Sequence, residues 1–197
     1  MLHGDLNSPN ASVHEPIAPF WSETRGPSLL HLRLSTIQVS MLSTSSWRRK
    51  LPRSLDPRLR SWLAEPGSLT RRLLRGATQF AVEPRFQGKA RAGRDEALLL
   101  GLRPGRLAWR RDVTLRRNGD AIITAHTLMP LASHGDLGRK FHGLGRRSLG
   151  SLLFSNPLIR HGRLAFSRQR NGLWARRALH HKGSWRVLVT EVFLRLP

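Results

Sequence analysis

The chain has 197 residues, which corresponds to about one domain and is enough to bury a hydrophobic core. It contains no cysteine, so disulfides and thiolate metal sites are excluded, and no uninterrupted apolar run approaches the ~20 residues of a membrane span. The formal net charge of +22 suggests nucleic acid, anionic lipid or an anionic small molecule as partner, although an arginine-rich proteome would give the same balance.

Residues 1–45 differ in composition from the rest of the chain. They are rich in Ser, Pro, His and Asn, lack a secretory signal, and show no sustained hydrophobic period apart from residues 29–40. Such a composition buries too little apolar surface to offset the entropy of ordering. We therefore predict a disordered or loosely packed extension at 1–45, a single domain at 46–197, Met41 as a candidate true start, and a cytoplasmic location.

Capping residues, turn signals and hydrophobic periods predict the later elements. In chain order these are a helix from Asp56-Pro57 to near Pro66-Gly67, a helix from Ser68 to Leu74, a strand at 79–87, a loop at 88–105, strands at 107–117 and 120–129, a short helix at 147–154, and strands at 160–169, 173–180 and 185–195. This order predicts an α+β domain with a single, mainly antiparallel, six-stranded sheet and flanking helices.

The dipeptide Asn118-Gly119 lies between two alternating apolar segments, which is typical of a type I′ hairpin. A two-residue turn would pair Arg117 with Asp120 and, counting back along both strands, Arg111 with His126. These last two side chains would share a surface with Trp109, Ile122, Thr124 and Leu128. A cation beside a titratable group on an apolar floor is typical of a small-anion pocket. The alternative for His126 is a hydrogen-bonded core histidine.

Strand alternation places Arg111 on the same face as Trp109, Val113 and Leu115, which should be buried. A buried guanidinium is costly without a partner, so it needs a carboxylate from the protein or from a ligand. The alternatives are a buried ion pair, or a side chain whose charged end reaches water.

Glu191 is a carboxylate within the β-branched run of the last strand, and no acidic residue lies between Asp136 and it or after it. Burial would raise its pKa and nearby arginines would lower it, so in either case it is a candidate acid/base group. The alternative is a structural salt bridge to Arg176 or Arg177. The apolar residues that share its face are Val187, Val189 and Phe193.

Other common sites are not supported by the sequence. His126, His180 and His181 do not make a convincing metal-ligand set without cysteines or further carboxylates. There is no P-loop and no Gly-x-Ser-x-Gly motif. Basic clusters could form a nucleic-acid face, but no helix-turn-helix or zinc pattern accompanies them. We therefore expect no metal, no cofactor and no nucleic-acid partner.

The chain from Leu55 to Pro197 resembles the bacterial chorismate lyase family. The order and spacing of several short motifs carry the resemblance: Asp56-Pro57, Trp62-Leu63, Ser68-Leu69-Thr70-Arg71-Arg72, Trp109-Arg110-Arg111-Asp112-Val113, Leu144-Gly145-x-x-Ser148-Leu149-Gly150, Leu153-Phe154, Gly172-Leu173-Trp174-Ala175-Arg176-Arg177 and Thr190-Glu191-Val192-Phe193-Leu194.

The resemblance implies an antiparallel sheet with helical flaps over an internal ligand site. It implies an enzyme that removes pyruvate from chorismate to leave 4-hydroxybenzoate, the first step of ubiquinone biosynthesis, and we expect it to be a monomer. By the same resemblance Arg111 holds the ring carboxylate and Glu191 lies at the 4-hydroxyl end, so both are expected catalytic residues. Leu69 and Leu149 match flap positions that contact the substrate.

One position departs from the family pattern. The family's Gly-Arg-Thr segment is Ala125-His126-Thr127 here, which makes His126 a further candidate for substrate binding. Two other functional classes stay open: a non-catalytic ligand-sensing domain of the same fold, as in some bacterial transcription regulators, and a basic RNA-associated protein. The sensing domains usually follow a DNA-binding helical domain, for which residues 1–45 are too short and irregular.

Overall fold

The computed structural model describes residues 46–133 and 135–197, so the predicted extension at 1–45 lies outside the described residues. The helices are α1 (Pro57–Leu63), α2 (Leu69–Leu74), α3 (Arg94–Leu100), α4 (Asp136–His142) and α5 (Leu149–Ser155). The strands are β1 (Phe80–Arg91), β2 (Leu107–Arg117), β3 (Asp120–Pro130), β4 (Arg160–His161), β5 (Ala165–Arg168), β6 (Trp174–Lys182) and β7 (Trp185–Phe193). Within the described ranges, no helix has the length and apolar character needed to cross a membrane.

The strands form one antiparallel sheet in the order β1-β2-β3-β7-β6-β4, with β5 also paired to β6. The predicted α+β class with a single antiparallel sheet is confirmed. The sheet has seven strands rather than six because the predicted strand at 160–169 is interrupted. The N–H of Gly162 donates to the carbonyl of Leu179 on β6, and the chain rejoins the ladder only at Ala165.

The capping predictions for the first two helices are confirmed. The carboxylate of Asp56 accepts from the N–H of Leu59 at 2.8 Å, and the hydroxyl of Ser68 accepts from the N–H of Arg71 at 3.2 Å. Helix α3, by contrast, lies in the segment that was predicted as a loop. Its N-cap is a glycine whose N–H donates to the side chain of Glu96, an arrangement without the usual Ser, Thr, Asp or Asn signal.

The hairpin turn has the predicted type I′ chemistry, since Asn118 (φ 51°) and Gly119 (φ 84°) are both left-handed, and Arg117 pairs with Asp120. The predicted pairing of Arg111 with His126 is wrong. A β-bulge at Ile122 adds one residue to β3, so Arg111 pairs with Thr127 and Asp112 pairs with His126. A one-residue slip moves every later side chain of β3 to the other face.

Helices cover both faces of the sheet. On one face, α1 and α2 pack over Val113, Leu115 and Phe193, while α4 and α5 pack over Met129 and Val187. We call this the cavity face. On the opposite face, α3 buries Ala97 and Leu100 against Leu128 and Leu188. The side chains of the central strands are therefore buried on both faces of the sheet, where a charged group without a partner is costly.

Candidate active site

A cavity lies between the cavity face and the starts of α2 and α5, which we call the flaps. Its empty volume is about 680 Å³, including space open to solvent. Leu69 and Leu149, the first residues of the two flap helices, line this cavity, and so does Glu191 from β7. The structure thus brings together three of the residues selected from the sequence.

The two flaps contact each other directly. The hydroxyls of Thr70 and Ser148 lie 2.6 Å apart, and both side chains are buried. Ser148 is the N-cap of α5, yet its hydroxyl makes no capping hydrogen bond. A Cβ on Gly150 would lie 2.8 Å from the hydroxyl oxygen of Ser68, so a larger residue here would displace the Ser68 side chain. The hydrogen bond between Thr70 and Ser148 therefore joins the two flaps where they line the cavity.

Glu191 forms an ion pair with Arg176, its cross-strand neighbour on β6. The Nε of Arg176 donates to Oε2 of Glu191 at 2.7 Å, and the two side chains are 5% and 17% exposed, respectively. The Nη1 of Arg176 also donates to the carbonyl of Glu65 at 2.6 Å. The salt-bridge alternative is therefore what the structure shows. Because Glu191 and Arg176 both line the cavity, the pair can also meet a ligand there.

Arg111 is 2% exposed, as its strand position predicted. Its Nη1 donates to Oε1 of Gln87 at 2.9 Å, and its Nη2 donates to the carbonyls of Gly145 at 2.8 Å and Arg147 at 3.2 Å. All three acceptors are neutral oxygens, and burial lowers the pKa of the guanidinium. Within residues 46–133 and 135–197, no ion pair joins Arg111 to a carboxylate.

The sheet register shows how close Arg111 lies to the cavity. Its cross-strand neighbour Thr127 lines the cavity, and Glu191 faces Ala125, two residues from Thr127 on the same face. Arg111 is not itself among the lining residues, because the carbonyls of the Gly145–Arg147 segment cover its guanidinium. Arg111 and Glu191 thus share the cavity face, with only Glu191 open to the cavity.

His126 lies on the opposite face and does not reach the cavity. Its Nδ1 lies 2.8 Å from Oδ1 of Asp112, and its Nε2 lies 3.3 Å from Oε1 of Glu96 in α3. Burial disfavours the imidazolium, but these two carboxylates outweigh it and raise the pKa of His126. The alternative of a hydrogen-bonded core histidine is therefore correct. The expected substrate contact of His126 is not supported, since the β-bulge turns it away.

Two histidines that the sequence had not linked to the cavity also line it. His161 of β4 and His180 of β6 are cross-strand neighbours whose Nδ1 atoms lie 2.9 Å apart. Alternation along β6 places His180 on the same face as Ala178 and Arg176, so the sequence contained enough information to assign His180 to the cavity face. His161 could not be assigned in the same way, because its neighbour is set by long-range pairing.

Comparisons with known proteins identify the family of the chain. The chorismate lyase family profile matches residues 41–197. A probable chorismate pyruvate-lyase of Dechloromonas aromatica (strain RCB) is 42% identical over 170 residues, covering 78% of this chain and 96% of that protein. Another, of Methylobacillus flagellatus, is 37% identical over 164 residues, covering 74% and 92%.

Among solved structures, the C-terminal domain of the histidine utilization repressor from Pseudomonas syringae pv. tomato gives a TM-score of 0.44 at 12% identity, covering 58% of this chain and 91% of that one. A GntR-family regulator from Bacillus cereus gives a TM-score of 0.44 at 13% identity, covering 61% and 93%. TM-scores at this level carry no functional implication. The profile match and the two curated relatives, in contrast, extend over most of the chain, and the chain belongs to the chorismate lyase family.

Proposed function

We propose that the protein removes pyruvate from chorismate to leave 4-hydroxybenzoate, as the first step of ubiquinone biosynthesis. The observation that carries this proposal is a buried guanidinium, Arg111, whose hydrogen-bond acceptors within the described residues are neutral oxygens, beside a cavity lined by Glu191. A buried cation of this kind favours an anionic ligand. The names of the curated relatives support the same substrate.

The proposed elimination needs no external oxidant. The bond between the ring and the ether oxygen breaks, and its electrons leave with enolpyruvate. The ring carbon that bears the hydroxyl loses its hydrogen as a proton, and the methylene of enolpyruvate gains a proton to give pyruvate. The ring becomes aromatic, which makes the elimination downhill. The protein must hold the dianion, exclude water and position an acid/base group.

In this proposal Arg111 binds the ring carboxylate in a bidentate manner. The Gly145–Arg147 segment that now covers Arg111 would exchange its carbonyls for the carboxylate when the flap opens. Gly145 is left-handed, with φ 52°, and provides a hinge in this segment. Glu191 lies at the 4-hydroxyl end, where it can move a proton while Arg176 keeps it oriented. Leu69 and Leu149 contact the substrate from the flaps.

The test is to incubate the purified full chain with chorismate and to measure 4-hydroxybenzoate and pyruvate together. Equal amounts of the two products, formed in proportion to protein concentration, are expected. Tight binding of 4-hydroxybenzoate without turnover of chorismate would instead indicate a ligand-sensing domain. Binding of RNA, with neither turnover nor 4-hydroxybenzoate binding, would indicate the RNA-associated alternative.

A further inference from the structure

The His161–His180 pair occupies part of the cavity wall that the proposed roles of Arg111 and Glu191 do not use. The two residues are directly paired across β4 and β6, and both line the cavity. A Cβ on Gly162, the residue after His161, would lie 2.4 Å from the carbonyl oxygen of Leu179. Only a glycine allows β4 to approach β6 this closely, so the local sequence builds the pair.

The surroundings of His180 are positive. Burial, the largest cause, together with the nearby His161, Arg176 and His181 lowers the pKa of His180 to about 4. No carboxylate is among the groups that act on it in the described part of the chain. A buried imidazole among cations, without an acidic partner, is a position at which a bound anion would be stabilised.

The pair can donate to such an anion without being charged. Since the two Nδ1 atoms lie 2.9 Å apart, one imidazole donates its Nδ1–H and the other accepts. A neutral imidazole that accepts at Nδ1 carries its hydrogen on Nε2. One N–H of the pair is therefore left to donate to a further acceptor, and an ionised carboxylate is a strong acceptor for it.

The pair is separated from the Glu191 end of the cavity. His180 and Arg176 lie on the same face of β6, four positions apart, which is about 13 Å along a strand. Ala178 lies between them and also lines the cavity, so a small side chain leaves the space continuous. The ether carbon of chorismate is bonded to the carbon that bears the hydroxyl, so the three-carbon side chain would extend from the Glu191 end of the cavity towards the histidine pair.

We propose that the His161–His180 pair is the subsite for the carboxylate of the three-carbon enolpyruvyl side chain of chorismate. This inference rests on the proposed function, and it adds a second point of anion recognition to the one assigned to Arg111. It also accounts for the second carboxylate, which His126 on the opposite face is not placed to bind.

Contact with a flap links this subsite to closure of the cavity. The ring of Phe154 in α5 stacks on His161, with centroids 4.4 Å apart and planes 7° apart, and meets His180 edge-on at 6.3 Å. Since α5 is also the helix that begins with Leu149, occupation of the subsite and closure of this flap act on the same element.

The experiment compares His180→Gln and His161→Gln with His181→Gln, the matched control. His181 follows His180, but strand alternation directs its side chain to the opposite face. For each variant, KM and kcat for chorismate are measured together with the inhibition constant of 4-hydroxybenzoate, which lacks the three-carbon side chain. His180→Gln and His161→Gln should each raise KM by about tenfold or more, the cost of a lost hydrogen bond to a charged group.

The inhibition constant of 4-hydroxybenzoate should stay within about twofold in all three variants, and His181→Gln should leave every parameter unchanged. Equal losses for chorismate and 4-hydroxybenzoate would show that the pair only supports the fold, and an unchanged KM would also overturn the subsite. If the wild type binds chorismate without turning it over, the proposed function fails. In that case the subsite is tested by comparing one ratio between the wild type and His180→Gln, namely the dissociation constant of chorismate divided by that of 4-hydroxybenzoate. An equal ratio in the two proteins would overturn the subsite.

Discussion

At the residue scale, the partner of each buried charge distinguishes a ligand site from a structural contact. Glu191 has a cationic partner and also faces the cavity, whereas His126 has two carboxylate partners on the opposite face. Within the described residues, the hydrogen bonds of the Arg111 guanidinium go to neutral oxygens. Similar sequence signals, each a charged residue in an apolar strand, therefore lead to three different physical situations.

Replacing Glu191 by Gln keeps the shape of the side chain and removes its charge and basicity. We expect kcat to fall by roughly 100-fold or more, in the range of lost acid/base catalysis. The melting temperature should also fall, because Arg176 is 5% exposed and would lose its anionic partner. Steady-state kinetics and thermal unfolding measure the two effects.

Asp120→Asn is the matched control for that substitution. Asp120 forms an ion pair with Arg195 in which the side chains are 59% and 55% exposed, so its loss should change neither kcat nor the melting temperature. Near-normal turnover in Glu191→Gln would restrict Glu191 to a structural role.

Arg111→Ala should weaken the binding of both chorismate and 4-hydroxybenzoate by about 2–5 kcal/mol, as expected for one partner of a buried charge pair. Arg111→Lys should restore the affinity only in part, because the planar two-point geometry is lost. Equilibrium titration with 4-hydroxybenzoate measures both. Arg110→Lys is the control, since Arg110 pairs with Asp112 on the opposite face. Equal affinity losses in Arg110→Lys and Arg111→Lys would contradict the proposed role.

His126 should make stability depend on pH. Its pKa in the folded protein is raised above the usual value, so its stabilising contribution is fully present below about pH 6 and is lost as the pH rises through the folded-state pKa. The groups that face it are Asp112, which also pairs with Arg110, and Glu96. The pKa values of both carboxyls are lowered, so they stay ionised in this range.

The free energy of unfolding lost in His126→Gln should therefore be largest below about pH 6 and shrink as the pH rises through the folded-state pKa of His126. Urea denaturation at a series of pH values measures it, with His181→Gln as the control. A loss that is constant across the series would mean that His126 acts through packing and not through its charge.

At the scale of elements, the sheet forms one wall of the cavity and the flaps form the other. Both flap helices are short, and each begins at a residue that lines the cavity. They are joined through Thr70 and Ser148, and Arg111 binds the carbonyls that precede α5. A site closed in this way should release its product slowly, and release can then limit turnover.

Thr70→Val preserves the shape of the side chain and removes the hydrogen bond between the flaps. We expect the inhibition constant of 4-hydroxybenzoate to rise roughly twofold to tenfold, the usual range for one hydrogen bond, while kcat is unchanged or higher. Product inhibition and pre-steady-state bursts measure the effect. Thr124→Val on the opposite face should change neither value. Tighter product inhibition in Thr70→Val would exclude the contact as a latch.

At the scale of the whole molecule, charge and chain organisation set how the domain meets its substrate. With 34 basic and 12 acidic residues, the protein has a positive field that attracts a dianion over long distances. The family profile begins at residue 41, close to the boundary predicted between the extension and the domain. The domain is therefore proposed to hold all the groups needed for activity.

A chain that begins at Met41 should keep the melting temperature and the kcat/KM of the full chain, because residues 1–40 show no core-forming pattern. Thermal unfolding and chorismate turnover compare the two chains directly, and size-exclusion chromatography checks that both are monomers. Loss of soluble folding in the shorter chain would show that the extension packs on the domain.

The sequence by itself determined the features that depend on neighbours in the chain. The caps at Asp56 and Ser68, the turn at Asn118-Gly119 and the burial of Arg111 follow from hydrogen bonds and alternation over a few residues, and all are confirmed. The family resemblance pointed to Glu191, Leu69 and Leu149, which all line the cavity, and their contacts with a substrate stay a prediction.

Only the tertiary structure decided the features that depend on distant segments. The bulge at Ile122 is stabilised by the N–H of Leu194, which donates to the Ile122 carbonyl, and it sends His126 to the opposite face. The pairing of His161 with His180 depends on the close approach of β4 to β6. A single residue of register changes every face assignment, and register is fixed by packing between strands that are far apart in the chain.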